Sequence, residues 1–155
     1  MSTPVVGKKV PAFTAEATSD LTVSSKDLKG TAYVLYFYPR DNTPGCTVES
    51  QDFAANHAKF RRRKVRVFGV SRDSLKSHER FKEKFDFPFE LIADPDEALC
   101  QLFDVIKDKN MYGKKVRGIE RSTFVIDEKG VLRHEWRKVK VKGHVDEVLE
   151  ALKDM

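Results

Sequence analysis

The stretch TAYVLYFYP, residues 31–39, runs for eight residues without a charge before a proline stops it. An unbroken apolar run this short, rich in aromatic residues and ended by Pro39, reads as a strand buried on both faces. Such a strand obliges the rest of the chain to cover it from two sides. From Thr43 the pattern changes: Phe53, His57 and Phe60 recur at i, i+4 and i+7, with Ala54 and Ala58 beside them, which is helical spacing.

The same alternation continues. VRVFGVS (65–71) is a second buried strand, and DSLKSHERFKEKF an amphipathic helix with Asp73 or Ser74 as its N-cap. FELIAD is a third short strand, and PDEALCQLFDV a third helix with Pro95 in its first turn. RSTFVIDEKGVLRHEWR predicts a hairpin around DEKG. HVDEVLEALK closes the chain as a helix with Val145, Val148, Leu149 and Leu152 on one face. Strands alternating with helices, then a hairpin and a last helix, predict an α/β fold with a central mixed sheet flanked by helices. The order is that of a thioredoxin-like sandwich. No Pro/Gly/Ser-rich linker divides it, so residues 1–155 are expected to form one domain.

Composition narrows the function. With 40% hydrophobic and 34% charged residues the chain is globular. No apolar stretch approaches the roughly 20 residues of a membrane span, and the N-terminus lacks the apolar core of a signal peptide. Two cysteines, Cys46 and Cys100, are too few for a secreted disulfide scaffold, so a reducing, cytoplasmic setting is expected. The net charge of +5 is densest in KFRRRK (59–64). That cluster reads as the solvated C-terminal turn of the helix after Cys46, where the dipole favours cations; no aromatic interleaving makes it a nucleic-acid site. The four histidines lack paired ligand spacing, and neither metal nor cofactor is expected.

Cys46 stands where chemistry is cheapest to build. If Thr43 is an N-cap, Pro44 falls at N1, where its missing N–H costs nothing, and Cys46 at N3. A Thr N-cap hydroxyl normally accepts from the N–H of N2 or N3, which would set it against the cysteine. The helix end favours a thiolate, by typically 0.3–1 kcal/mol and up to about 2. A free thiol of pKa about 8.5 is only about 3% ionised at pH 7, and ionising about 90% of it requires about 3.4 kcal/mol. The helix is therefore insufficient, and a cation from elsewhere is needed.

Pro39, Thr43 and Cys46 form the pattern P-x-x-x-T-x-x-C, and FYPRDNTPGCTVE resembles a peroxiredoxin active site. The resemblance runs on through GVSRDS, LIADPDEAL and RSTFVIDEKG, and is nearest to the bacterioferritin-comigratory, or Q-type, subfamily. It implies a thiol-dependent peroxidase acting on hydrogen peroxide and organic hydroperoxides. Cys46 is then the peroxidatic nucleophile, and Arg121 the cation that stabilises its thiolate and polarises the peroxide. Thr43 hydrogen-bonds the sulfur and the peroxide, Pro39 shields the pocket, and Glu49 orients the arginine.

The pattern also breaks. Many relatives carry a resolving cysteine five residues after the nucleophile, where this chain has Gln51; others carry one on the next helix, which here has none. Cys100 remains, about 60° past the edge of the apolar arc on its predicted helix. It reads as a partly buried packing cysteine or, in a two-cysteine cycle, as the resolving thiol, which would require a helix to unfold locally. A one-cysteine cycle with an external thiol such as thioredoxin, glutaredoxin or glutathione is the favoured expectation, in a monomeric protein. A thiol–disulfide oxidoreductase would want C-x-x-C, but position 49 is Glu49; a holdase would not need the Thr43, Cys46 and Arg121 set.

Overall fold

The computed structural model describes residues 3–155. Its strands are β1 (Thr14–Ala17), β2 (Thr22–Ser24), β3 (Ala32–Phe37), β4 (Val65–Ser71), β5 (Glu90–Ala93), β6 (Ile106–Met111), β7 (Lys114–Ile119), β8 (Ser122–Ile126) and β9 (Leu132–Arg137). Its helices are α1 (Pro44–Ala55), α2 (His57–Arg62), α3 (Leu75–Phe85), α4 (Ala98–Leu102) and α5 (His144–Leu152). Among the described residues, seven strands form one sheet in the order β2-β1-β5-β4-β3-β8-β9, while β6 and β7 pair only with each other. β3, β4 and β5 run parallel, and the remaining neighbours antiparallel. This is the mixed sheet of a thioredoxin-like fold.

The period of two along β3 divides the interior. Tyr33, Leu35 and Phe37 enter one core, with Phe68, Val70, Leu99, Cys100, Phe103 and Phe124. Val34, Tyr36 and the following Tyr38 enter the other, with Cys46, Phe53, Phe60, Phe81, Val145 and Val148. Alternate side chains of a strand point to opposite faces, so the two clusters lie on opposite sides of the sheet. The apolar faces of α1, α2, α3 and α5 cover the second core. α4 and the segment holding Val10 and Phe13 cover the first.

Two local expectations need correction, and one open choice is decided. The helix after Cys46 does not run unbroken into KFRRRK, because Asn56 (φ −104°, ψ 7°) divides it into α1 and α2. Pro95 lies outside the third helix, which is the five-residue α4. It is started instead by Glu97 in a left-handed conformation (φ 64°) and by the Asp94 carboxylate, which accepts from the N–H groups of Leu99 and Cys100 at 3.0 and 2.7 Å. Of the two candidate caps for α3, Ser74 holds the place, accepting from Ser77 N–H at 3.1 Å.

Candidate active site

β3 ends against the helix that it feeds. Tyr36 packs flat on Phe53 of α1, centroids 4.5 Å apart, and its hydroxyl donates to Ser50 at 2.9 Å. Gly69 on β4 permits this: a Cβ there would lie 2.7 Å from the Tyr36 ring. Half-buried Pro39 then turns the chain into a loop that a polar network locks to α3. Asp41 accepts from Tyr38 Oη at 2.6 Å and Ser77 Oγ at 2.7 Å, meets His78 Nδ1 at 2.7 Å, and donates its own N–H to Asp73 at 2.9 Å. His78 Nε2 faces the Ile92 carbonyl at 2.9 Å. A carbonyl only accepts, so Nε2 is the ring nitrogen that donates there. Ligand atoms of Asp41, Asp73 and His78 lie within 4.8 Å of one another, a grouping hidden in the sequence by their separation. Here they serve as a lock between loop and helix.

Thr43 is the N-cap residue in backbone geometry (φ −98°, ψ 156°), with Pro44 at N1. Its hydroxyl, however, makes no capping bond and donates to the Arg40 carbonyl at 2.8 Å. The left-handed turn at Asn42 (φ 57°) folds that carbonyl back beneath it. The helix's first i to i−4 bond is Thr47 N–H to the Thr43 carbonyl at 2.8 Å, so the N–H groups of Gly45 and Cys46 lie in its open end.

Cys46, 1% exposed, lies at that end. Arg121, directly before β8, donates from Nη2 to Cys46 Sγ at 3.4 Å and from Nη1 to Glu49 Oε1 at 2.6 Å. Burial works against the guanidinium's charge, but Glu49 and Cys46 outweigh it and hold its pKa above the ordinary range. Glu49 is fully buried one turn beyond Cys46, and its Oε2 has no hydrogen-bond partner among the described residues. Burial pushes this carboxyl up to about 7 against the pull of Arg121. Buried His144 lies behind them, its Nε2 2.7 Å from Thr123 Oγ1; burial and Arg121 depress it to about 4.

Of the residues singled out in sequence, Cys46, Glu49 and Arg121 thus meet directly. Thr43 is the N-cap of the helix that carries Cys46 and Glu49, and half-buried Pro39 lies in the loop that leads to it. Cys100 does not join them: it is fully buried in the core on the other face, where burial and Asp94 push its thiol far up. Gly45 was missed. A Cβ there would sit 3.1 Å from Arg121 Nη2, so a side chain at this position would crowd the guanidinium that reaches the sulfur. Its place between Pro44 and Cys46 was the available signal.

The profile of the AhpC/TSA family matches residues 6–135. The Bacillus subtilis protein named peroxiredoxin Bcp is 49% identical over 150 residues, spanning 97% of this chain and 96% of its own. A solved Xanthomonas campestris bacterioferritin comigratory protein, described for its alkyl peroxide reduction activity, is 49% identical, with TM-score 0.87 over 92% of this chain and 90% of that one. Xylella fastidiosa PrxQ is 41% identical, with TM-score 0.92 over 99% and 98%. The chain therefore belongs to the AhpC/TSA family, among the peroxiredoxins of the bacterioferritin-comigratory, Q type.

Proposed function

We propose that residues 1–155 act as one peroxidase domain in which Cys46 is the peroxidatic nucleophile of a one-cysteine cycle. The observation that carries this reading is Arg121, whose guanidinium spans Cys46 Sγ and Glu49 at the open end of α1. The Cys46 thiolate attacks one oxygen of a hydroperoxide ROOH, the O–O bond breaks, and the leaving oxygen takes up a proton as ROH. Developing charge on the two oxygens meets Arg121 and the Gly45 and Cys46 N–H groups, fixed donors that need no reorganisation during the step. The Thr43 hydroxyl, its proton held by Arg40, keeps a lone pair for the peroxide O–H. Pro39 shields the approach.

Cys46 is left as a sulfenic acid. One external thiol displaces water to form a mixed disulfide, and a second releases Cys46, so that ROOH and two thiols become ROH, water and a disulfide. Hydrogen peroxide and alkyl hydroperoxides are both substrates in this reading, the latter supported by the activity described for the Xanthomonas relative. Thioredoxin, glutaredoxin and glutathione are the candidate reductants. The protein works in the cytoplasm as a monomer, with no part for nucleic acid, membrane, metal or cofactor.

Replacing Cys46 with serine tests the assignment. Cys46→Ser should abolish thiol-dependent peroxide consumption while the circular dichroism spectrum stays that of wild type; substantial turnover by a folded variant would refute it.

A further inference from the structure

Lys109, on β6, could extend into solvent, as residues of an isolated two-stranded hairpin usually can. It is instead half-buried and donates from Nζ to the carbonyl of Ile119, the last residue of β7. Two residues on is Arg121. The 119–121 segment is held from its other groups by main-chain bonds, Glu120 N–H to the Val105 carbonyl at 2.7 Å and Val139 N–H to the Arg121 carbonyl at 3.0 Å. Lys109 adds the side-chain anchor.

The charges that act on its ammonium are those of Arg121, Glu120, Cys46 and Arg72. Burial, then Arg121, press it below the usual lysine range, while Glu120 and Cys46 act the other way. A cation in the field of another cation and partly stripped of water is unfavourable unless an anion offsets it. On the reading of Cys46 as nucleophile, the thiolate is such an anion.

We propose that Lys109 is a positioning residue for peroxide reduction: it fixes the segment that presents Arg121 and supplies the site with a second positive charge. This rests on the Cys46 assignment and adds a hairpin residue to it. The hairpin thereby becomes part of the active-site wall.

The test compares Lys109→Met, Lys109→Gln and Lys109→Arg. Met removes both hook and charge, Gln keeps a donor for the Ile119 carbonyl without the charge, and Arg keeps both. The readouts are the pH profile of iodoacetamide alkylation at Cys46, located by peptide mass, and the single-turnover rate of peroxide oxidation. Met and Gln should move the alkylation profile up by about one pH unit, the lower end of what a nearby opposite charge produces. Oxidation at pH 7 should slow by up to about tenfold in step, and Arg should restore both to near wild type.

Profiles for Met and Gln that superimpose on wild type would overturn the proposal, as would a shift that Arg shares. Should Met fail to fold, the Gln profile decides alone. Failure of the Cys46 assignment reads out separately, as turnover surviving in Cys46→Ser.

Discussion

Glu49 places a carboxyl with one unpartnered oxygen in a fully buried position, and its only hydrogen-bond partner among the described residues is the arginine that also serves Cys46. Its folded pKa of about 7 lies above the ordinary 4.5, so between those values the folded state binds more proton than the unfolded chain. Stability from this group is full below about pH 4.5 and is lost as pH rises to about 7. At 1.36 kcal/mol per unit the loss is about 3 kcal/mol. His144, depressed to about 4, slopes the other way, since the unfolded chain takes up its proton first as pH falls below about 6.5. The difference between wild type and Glu49→Gln isolates the carboxyl. Urea unfolding should show wild type losing stability relative to the variant between pH 5 and pH 8; parallel pH profiles would refute the raised carboxyl. Sequence made only part of this residue set legible. Pro39, Thr43, Cys46 and Glu49 lie within a dozen positions, so helix-start geometry orders them. Arg121 is 75 residues from Cys46 and came only through family resemblance. Gly45 and Lys109 act through close approach and a main-chain carbonyl, which no spacing records.

α1 is seated through one aromatic ring. Tyr36 fits over Gly69 and beneath Phe53, and its hydroxyl reaches Ser50, one turn past Cys46. A methyl group at position 69 would collide with that ring and with Leu91, at 2.7 and 2.8 Å. Gly69→Ala should therefore cost about 1–3 kcal/mol in stability, the usual price of overpacking. It should also slow peroxide oxidation by displacing α1, which a stopped-flow measurement would detect. A fully active variant with unchanged unfolding would mean that Tyr36 does not seat the helix. The elements themselves were legible where burial wrote a period into the sequence: β3, β4, β8, β9 and α5 fall where expected. β6 and β7 were not foreseen. IKDKN and KKVRGI offer no continuous apolar face, because β7 is mostly exposed and its hairpin pairs with no other strand among the described residues. The turn, with Tyr112 and Gly113 both at positive φ, was the one clue. α4 was overread because its start depends on Asp94 and on strain at Glu97 rather than on a proline.

At the scale of the molecule, the sheet separates the two thiols. Cys46 belongs to one core and Cys100, fully buried, to the other. Sequence put Cys100 beyond the edge of an apolar arc and left its role open; with a helix of five residues, that wheel had too few turns to be informative. Cys100→Ser should leave multiple-turnover rates within about twofold of wild type under saturating reductant, as expected where a buried thiol has no access to the reaction. Non-reducing peptide mapping after peroxide should show no link between the two cysteines, and a Cys46–Cys100 crosslink would overturn the one-cysteine cycle. On the proposed one-cysteine cycle, with no second thiol on its own side of the sheet, oxidised Cys46 faces a race between two encounters from solution, one with a thiol and one with a further peroxide. The first returns the enzyme, whereas the second takes the sulfur on to sulfinic acid. The share of molecules lost per cycle then follows the ratio of peroxide to thiol, and the surviving activity sums that ratio over time. On that cycle, a barrier one sheet thick makes the protein a chemical dosimeter of its surroundings.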